Sequence, residues 1–176
     1  MSKNKIETAV DYLRNGQLII VADDDDREAE GDLVGIANLA TMETVNFMTK
    51  FARGLICAPI SAQLADRLQL TEMVAQNTDT FKTAFTISVD HRSTTTGISA
   101  EERARTIRAL ANPQTKEEDF QKPGHIFPLI GRIGGVLERR GHTEAALDLA
   151  KLTNQSEAAY ICEILNEDGT MARRPQ

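Results

Sequence analysis

The amino-acid sequence predicts one α+β domain (a mixed, irregular α/β arrangement) in which helices flank a mixed sheet. Short apolar stretches typical of strands are mixed with segments whose apolar residues recur at helical spacing, without the regular alternation of a doubly wound fold. No internal repeat and no linker divides the chain, and its 176 residues are enough to bury one hydrophobic core.

In the first half of the chain, most predicted elements begin or end at a residue suited to that position. A stripe of apolar residues at helical spacing, from Ile6 to Leu13, predicts a first helix, and Gly16 follows where a helix C-terminus favours glycine. The other elements predicted here are strands at 18–22 (buried on both faces), 33–37 and 55–58, the last stopped by Pro59, and helices capped by Thr41 and Ser61.

In the second half, two helices have clear start signals. Residues 99–102 (Ser-Ala-Glu-Glu) have the form of a capping box, and Thr143 is a typical N-cap residue. The helix after the capping box runs to about Ala111, and the other predicted helix is the one that Thr143 caps. The remaining elements predicted here are a strand at 84–89, a polar surface loop at 112–122, a strand at 158–165 and a turn at 168–169.

Composition limits the class of protein. A formal net charge of −6 argues against a nucleic-acid-binding protein, whose surface is usually basic. The longest apolar run, residues 18–22, is far too short to cross a bilayer, and no secretory signal is visible, so we expect a cytoplasmic protein without a membrane partner. Cys57 and Cys162 lie in apolar stretches without metal-ligand spacing, so we expect buried free thiols and no zinc site.

An acidic run follows directly on the first predicted strand. Seven of the ten residues from Asp23 to Asp32 are acids, and their mutual repulsion must be relieved by cations or solvent. Because Mg²⁺ keeps water and substrate oxygens beside one or two carboxylates, the run predicts a metal site. A solvated acidic loop is the alternative. An EF-hand is excluded, since a loop starting at Asp24 has Ala29 at its sixth position and Gly35 at its twelfth.

Residues 139–144 (Arg-Arg-Gly-His-Thr-Glu) form a basic segment where a helix begins. The free N–H groups and the dipole of a helix N-terminus favour a phosphate there. Two arginines add charge, and the glycine lets the backbone approach a ligand closely. The segment therefore predicts a site for a small anionic ligand, and an ordinary helix start with exposed arginines is the alternative.

Two further residues are candidates for acid–base chemistry. His125 lies in Pro-Gly-His-Ile-Phe-Pro (123–128), which we expect to be a stiff loop rather than a helix or strand, and histidine exchanges protons near neutral pH. Glu163 interrupts an apolar strand, so its carboxyl must be paired, bound to a metal or held with a raised pKa. A structural histidine and a structural salt bridge are the alternatives. We interpret His91 as a surface residue, and no base stands beside Cys57 to activate it as a nucleophile.

Taken in order, these segments resemble the sequence blocks of the 3,4-dihydroxy-2-butanone-4-phosphate synthase family. The resemblance runs from about Tyr12 to Arg173, nearly the whole chain. The blocks are residues 25–32 (DDREAEGD), 53–57 (RGLIC), 94–99 (TTTGIS), 123–129 (PGHIFPL), 139–145 (RRGHTEA), 162–164 (CEI) and 166–173 (NEDGTMAR).

The resemblance implies a lyase of riboflavin biosynthesis that converts D-ribulose 5-phosphate into L-3,4-dihydroxy-2-butanone 4-phosphate and formate. It implies Mg²⁺ (or Mn²⁺) held by Glu28 and His142, with His125 and Glu163 as catalytic residues. It also implies a homodimer with its active sites near the subunit interface. The residues that it implies in substrate binding are Arg27, Asp32, Arg139, Arg140, Gly141, His142 and Thr143, with Arg139 and Thr143 on the phosphate side.

The implied reaction suits these residue types. Enolisation of a ketose needs a base and a group that stabilises the enediolate oxygens, and a divalent ion supplies the second as a Lewis acid. Glu163 and His125 would exchange protons in the later steps, whereas Asp32 would either take the first proton or orient a substrate hydroxyl.

We expect residues 1–176 to form a single synthase domain that lacks the C-terminal helix and strand with which members of the family usually continue. The alternative functions are a metal-dependent sugar-phosphate isomerase or aldolase, and a non-catalytic module that binds a phosphorylated metabolite.

Overall fold

The computed structural model describes residues 4–24 and 27–173, and in them six strands form one mixed sheet with five α-helices packed around it. The strands are β1 Ile19–Ala22, β2 Gly31–Ile36, β3 Cys57–Ile60, β4 Val89–His91, β5 Phe120–Ile130 and β6 Ala159–Glu163. The helices are α1 Lys5–Arg14, α2 Met42–Phe47, α3 Ala62–Arg67, α4 Ala100–Ala111 and α5 His142–Thr153. The predicted fold class is confirmed.

The strands lie in the order β1-β2-β6-β3-β5-β4. β3 and β5 are parallel and the other neighbours are antiparallel, which makes the sheet mixed. In the ladder between β2 and β6, Asp32 stands opposite Glu163. Because residues opposite each other in a ladder point to the same face, the register brings these two carboxyl groups together.

Alternation along the strands gives the sheet two buried faces. Leu33 and Cys162 lie on one face, in a core cluster that includes residues of α2 and α4. Val34 and Cys57 lie on the other face, in a cluster with Ala146 of α5. Both thiols are buried and free, as predicted, and burial raises the pKa of Cys162 to about 12. Since they point to opposite faces, the two cysteines are not placed to form a disulfide.

Side chains cap three of the helices as predicted. Thr41, Ser61 and Ser99 each accept a hydrogen bond, at 3.1–3.3 Å, from the backbone N–H three residues further on. The prediction that Thr143 caps α5 is wrong, because the N-cap is Gly141, two residues earlier, and the helix begins at His142. Glycine is itself a favourable N-cap residue, and Thr143 is buried in the first turn instead.

Two predictions about strands near the N-terminus need correction. The strand at 18–22 is not buried on both faces, since β1 is an edge strand and Ile20 is 65% exposed. Pro59 does not stop β3, which continues to Ile60. The N–H of Ser61 donates to Glu157 O, on the side of β3 that faces β6. Since N–H groups two residues apart point the same way, the missing N–H of Pro59 would face β6 too, and the hydrogen bonds between β3 and β5 are unaffected.

The segments around β4 and β5 also differ from prediction. Only Val89–His91 forms a regular strand there, because residues 85 and 86 make isolated bridges and the pairing then shifts. Residues 123–128 are not a separate stiff loop but part of the long strand β5. Pro128 still takes part in the pairing as an acceptor, since its carbonyl O accepts the N–H of Thr86 at 2.9 Å.

Candidate functional site

Two carboxylates and one imidazole meet at the end of β1. Asp23 follows the strand, Glu28 lies in the turn beyond it, and His142 is the first residue of α5. Each offers one ligand atom, and these atoms all lie within 4.8 Å of one another. The acidic run and the basic segment, far apart in the sequence, are therefore adjacent in space. Asp25 and Asp26, also in the acidic run, lie outside the described residues.

The imidazole of His142 is buried between two carboxylates. Its Nε2 is 3.4 Å from Asp23 Oδ1 and its Nδ1 is 3.3 Å from Asp32 Oδ1. Among the described residues, neither His142 Nε2 nor Asp32 Oδ1 has a hydrogen-bond partner. Burial lowers the pKa of His142, which favours the neutral ring. A buried neutral imidazole with an unused nitrogen beside carboxylate oxygens is a donor set that suits a divalent cation.

Arg27 holds the two acidic members of the cluster in place. Its guanidinium donates to Asp23 Oδ2 at 2.6 Å and pairs with Glu28 Oε1 at 2.9 Å. These contacts offset part of the negative charge and leave Asp23 Oδ1 directed at His142. The guanidinium also lies 5.1 Å from the ring centre of Phe81, which brings the 77–83 loop to the site.

The carboxyl groups of Asp32, which is buried, and Glu163, which is half-buried, form a pair next to this cluster. Burial, and then the charge of Glu163, raises the pKa of Asp32 to about 8. Burial also raises the pKa of Glu163. The hydrogen bond from the Leu55 N–H to Oε2, at 2.9 Å, lowers that pKa but offsets only part of the effect of burial. At neutral pH the pair is therefore able to hold and release a proton.

The segment 53–57 reaches the site through its backbone rather than through Cys57. A Cβ at Gly54 would overlap the backbone O of Glu163 and lie 2.6 Å from its Oε2, so only glycine fits there without displacing Glu163. The next residue, Leu55, donates its N–H to the same oxygen. Burial raises the pKa of the Cys57 thiol, which keeps it protonated and a poor nucleophile.

The two arginines before α5 have different surroundings. Arg139 donates to Glu144 Oε2 at 2.6 Å, to Thr83 Oγ1 at 2.8 Å and to Phe81 O at 3.1 Å, and Glu144 is only 1% exposed. Arg140 is exposed, and its guanidinium pairs with Asp24. Arg139 is thus held by three partners, whereas Arg140 is an exposed charge at the surface of the site.

A cavity of about 660 Å³ opens beside these groups, which is ample for a five-carbon sugar phosphate. Its walls come from the end of β1, the acidic turn, the segment before α5 and the first turn of that helix. The residues that line it include Asp23, Asp24, Arg27, Leu137, Arg140, Gly141 and His142.

His125 stands apart from this group. It lies on β5, which is separated from β6 by β3, and its Nδ1 is 2.7 Å from Asp90 Oδ2. Among the described residues, no hydrogen bond or ion pair joins it to Glu163 or His142. Within the described part of one chain, the predicted residues of the acidic turn, α5 and β6 are therefore linked by direct contacts and strand pairing, and His125 is not linked to them in this way.

Sequence reasoning missed two residues of this region. Asp23 was seen only as part of the acidic run, although its position directly after β1 is what aims it at His142. Asp90 carried no signal at all, because its role depends on pairing between β4 and β5. Within residues 4–24 and 27–173, none of the helices has the length and apolar character that a bilayer span requires.

Comparisons with known proteins place this site in a family. Residues 7–176 match the family model described as 3,4-dihydroxy-2-butanone 4-phosphate synthase. A protein of that name from Oceanobacillus iheyensis is 63% identical over 172 residues, which are 98% of this chain and 83% of that protein. The riboflavin biosynthesis protein RibBA of Bacillus mycoides is 59% identical over 172 residues, which are 98% of this chain but only 43% of that protein.

A solved structure gives the same result. The crystal structure of 3,4-dihydroxy-2-butanone 4-phosphate synthase in complex with two magnesium ions superposes with a TM-score of 0.90 and 41% sequence identity, over 98% of this chain and 83% of that one. The resemblance predicted from the ordered blocks is confirmed. By sequence and by fold, the chain belongs to the 3,4-dihydroxy-2-butanone 4-phosphate synthase family.

Proposed function

We propose that this chain is a lyase that converts D-ribulose 5-phosphate into L-3,4-dihydroxy-2-butanone 4-phosphate and formate, as a step of riboflavin biosynthesis. The observation that carries the proposal is the meeting of Glu28 and His142, with Asp23, at the N-terminus of α5. Family membership supports the reaction, and the name of the Bacillus mycoides relative supports the pathway.

Glu28 and His142 would hold Mg²⁺ (or Mn²⁺), with Asp23 Oδ1 as a third ligand atom. The fit is supported by the donor types, by their mutual distances of 4.8 Å or less and by the unpartnered Nε2 of His142. When bound, the cation would act as a Lewis acid on the oxygens of the enediolate and as a template for the substrate.

The first turn of α5 would receive the phosphate of the substrate. Gly141, His142 and Thr143 stand at the N-terminus of a twelve-residue helix, where free N–H groups favour an anion. Arg140 adds an exposed positive charge on the wall of the same cavity. Arg139 would act on the phosphate side as well, in an orientation that Glu144 fixes. Anchoring the phosphate would position an otherwise hydroxylated substrate against the acidic turn.

Proton transfer would fall to the carboxyl pair and to His125. Asp32 lies between His142 and Glu163, so it is placed to take the first proton or to orient a substrate hydroxyl. Glu163, with its raised pKa, would exchange protons in the later dehydration and rearrangement, together with His125. Arg27 would keep Asp23 and Glu28 in position throughout.

We further propose that residues 1–176 form one domain, that the protein works in the cytoplasm, and that it is a homodimer with active sites near the subunit interface. Among the described residues of one chain, His125 makes no hydrogen bond or ion pair with Glu163 or His142, which supports a site completed by a second copy. Exposed aromatic side chains, among them Phe47 and Phe51, offer apolar surface for such an interface.

The direct test is to incubate the purified protein with D-ribulose 5-phosphate and Mg²⁺ and to measure formate. We expect formate and the four-carbon phosphate in equal amounts, and EDTA should suppress both. An isomerase or aldolase would consume the substrate without releasing a one-carbon product, and a binding module would leave it unchanged. Either result from folded, metal-loaded protein would overturn the proposal.

A further inference from the structure

We propose that Asp90 is a positioning residue for His125: its carboxylate orients the imidazole and keeps a proton on Nδ1, so that Nε2 is the nitrogen that exchanges protons with the substrate. The inference deepens the proposed function and rests on it, because His125 is catalytic only in that proposal.

Both carboxylate oxygens of Asp90 contact His125. Asp90 Oδ1 accepts the backbone N–H of His125 at 2.9 Å, and Oδ2 lies 2.7 Å from Nδ1 of the ring. The side chain of His125 is 42% exposed, whereas that of Asp90 is only 8% exposed. The ring is therefore anchored from within the protein and presents its other nitrogen outward.

The backbone around His125 is shaped for this contact. Val89 pairs with Ile126, but the next residue, Asp90, pairs with Gln121, so residues 122–125 bulge out of β5. Gly124 at the centre of the bulge donates its N–H to Ser88 Oγ at 3.1 Å. A Cβ on Gly124 would overlap the backbone of Val89 and Asp90, so the bulge lies directly against β4. Bulges of this kind re-aim side chains, and here the carboxylate of Asp90 fixes the new direction.

The carboxylate is committed to His125. Among the described residues, both hydrogen bonds made by the carboxylate of Asp90 come from His125. The side chain is buried, and Gly97, with φ +79°, packs so closely against it that a Cβ there would overlap the carboxyl group. A buried carboxylate needs hydrogen-bond donors from the protein, because water does not reach it to replace one of them.

The chemistry follows from the acceptor character of an ionised carboxylate. Such a group only accepts hydrogen bonds, so Nδ1 must carry a hydrogen in the contact with Oδ2. In the neutral ring Nε2 then has the lone pair and acts as a base, and after accepting a proton it acts as an acid. Loss of the carboxylate would let the ring rotate and exchange tautomers.

The test combines nuclear magnetic resonance with kinetics. Long-range ¹H–¹⁵N spectra of the uniformly ¹⁵N-labelled, folded protein at a pH where histidine is neutral report which ring nitrogen holds the hydrogen, and the spectrum of His125→Gln assigns the signals. We expect His125 to hold it on Nδ1. In Asp90→Asn this preference should be lost, and kcat should fall on the order of 10²- to 10⁴-fold, the range of general acid–base catalysis, with little change in KM.

Ser88→Ala is the matched control, because it removes the acceptor of the Gly124 N–H but leaves the carboxylate and the ring contact. It should keep the wild-type tautomer and nearly all of kcat. A wild-type ring with its hydrogen on Nε2 would overturn the inference, even if Asp90→Asn failed to fold. So would a folded Asp90→Asn protein with unchanged tautomer, or with a loss of kcat no larger than that of Ser88→Ala. Wild-type protein that releases no formate would instead overturn the proposed function, which the spectra do not depend on.

Discussion

Asp32 and Glu163 stand opposite each other on β2 and β6, and Oδ1 of Asp32 is 3.3 Å from Nδ1 of His142. The pairing of two strands thus places a buried carboxyl group between a candidate metal ligand and a candidate catalytic acid. Burial raises the pKa of Asp32 to about 8, with the charge of Glu163 as the second cause. The site therefore contains a carboxyl group that is mostly protonated at neutral pH.

Asp32→Asn should stabilise the metal-free protein in a pH-dependent way. The folded pKa of about 8 exceeds the ordinary value near 4, so between these pH values the folded state keeps a proton that the unfolded state has lost, and stability falls as pH rises. Asparagine does not ionise. In urea unfolding with EDTA, we expect the variant to exceed wild type by about 1–3 kcal/mol at pH 8.5 and by much less at pH 5. An equal difference at both pH values would contradict this expectation.

Gly54→Ala should impair turnover without removing the metal. The new Cβ would overlap the backbone O of Glu163 and lie 2.6 Å from its Oε2, so residue 163 would have to shift and its carboxyl group would leave the Leu55 N–H. We expect kcat for formate release to fall on the order of 10²-fold, with Mn²⁺ affinity and KM little changed. Gly31→Ala on β2 is the control, since its Cβ would meet no atom closer than 3.6 Å. Equal effects of the two substitutions would show that Gly54 does not act through Glu163.

Arg139→Ala and Arg140→Ala should separate stability from substrate binding. Removing Arg139 leaves the buried carboxylate of Glu144 without its guanidinium partner, with the Arg132 N–H still bonded to Oε1, which should cost about 3–5 kcal/mol of unfolding free energy. Arg140 is exposed, so Arg140→Ala should cost less than about 0.5 kcal/mol and instead raise KM, with a smaller effect at high salt. Urea unfolding and formate kinetics at two ionic strengths check both statements. Comparable destabilisation by the two substitutions would be the contrary result.

Local signals in the sequence were enough to predict the helices whose N-terminus is set by one capping residue. Thr41, Ser61 and Ser99 each cap a helix because the hydroxyl oxygen accepts the backbone N–H three residues further on, which is a local contact. Thr143 shows that the residue type alone does not fix the cap, since α5 begins behind Gly141. Features set by strand pairing were not predictable in this way. The exposure of Ile20 follows from the edge position of β1, and nothing local to that strand fixes its place in the sheet.

The same division holds for the candidate site. The acidic turn and the helix start at His142 were visible as residue patterns, and their meeting followed from the family resemblance rather than from spacing. Asp23 and Asp90 were missed because each acts through a partner far away in sequence, His142 for the first and His125 for the second. Long-range partners of this kind become evident only once β1, β4 and β5 are placed in the sheet.

The central claim, that Glu28 and His142 hold one divalent ion, is tested most directly by titrating the protein with Mn²⁺ and following the free ion by electron paramagnetic resonance. Glu28→Gln and His142→Gln should each weaken binding at least about tenfold, whereas Glu163→Gln should bind Mn²⁺ as wild type does and yet release no formate. If Glu28→Gln and His142→Gln, both folded, bound Mn²⁺ with wild-type affinity, the two residues would not share an ion and the account would be wrong.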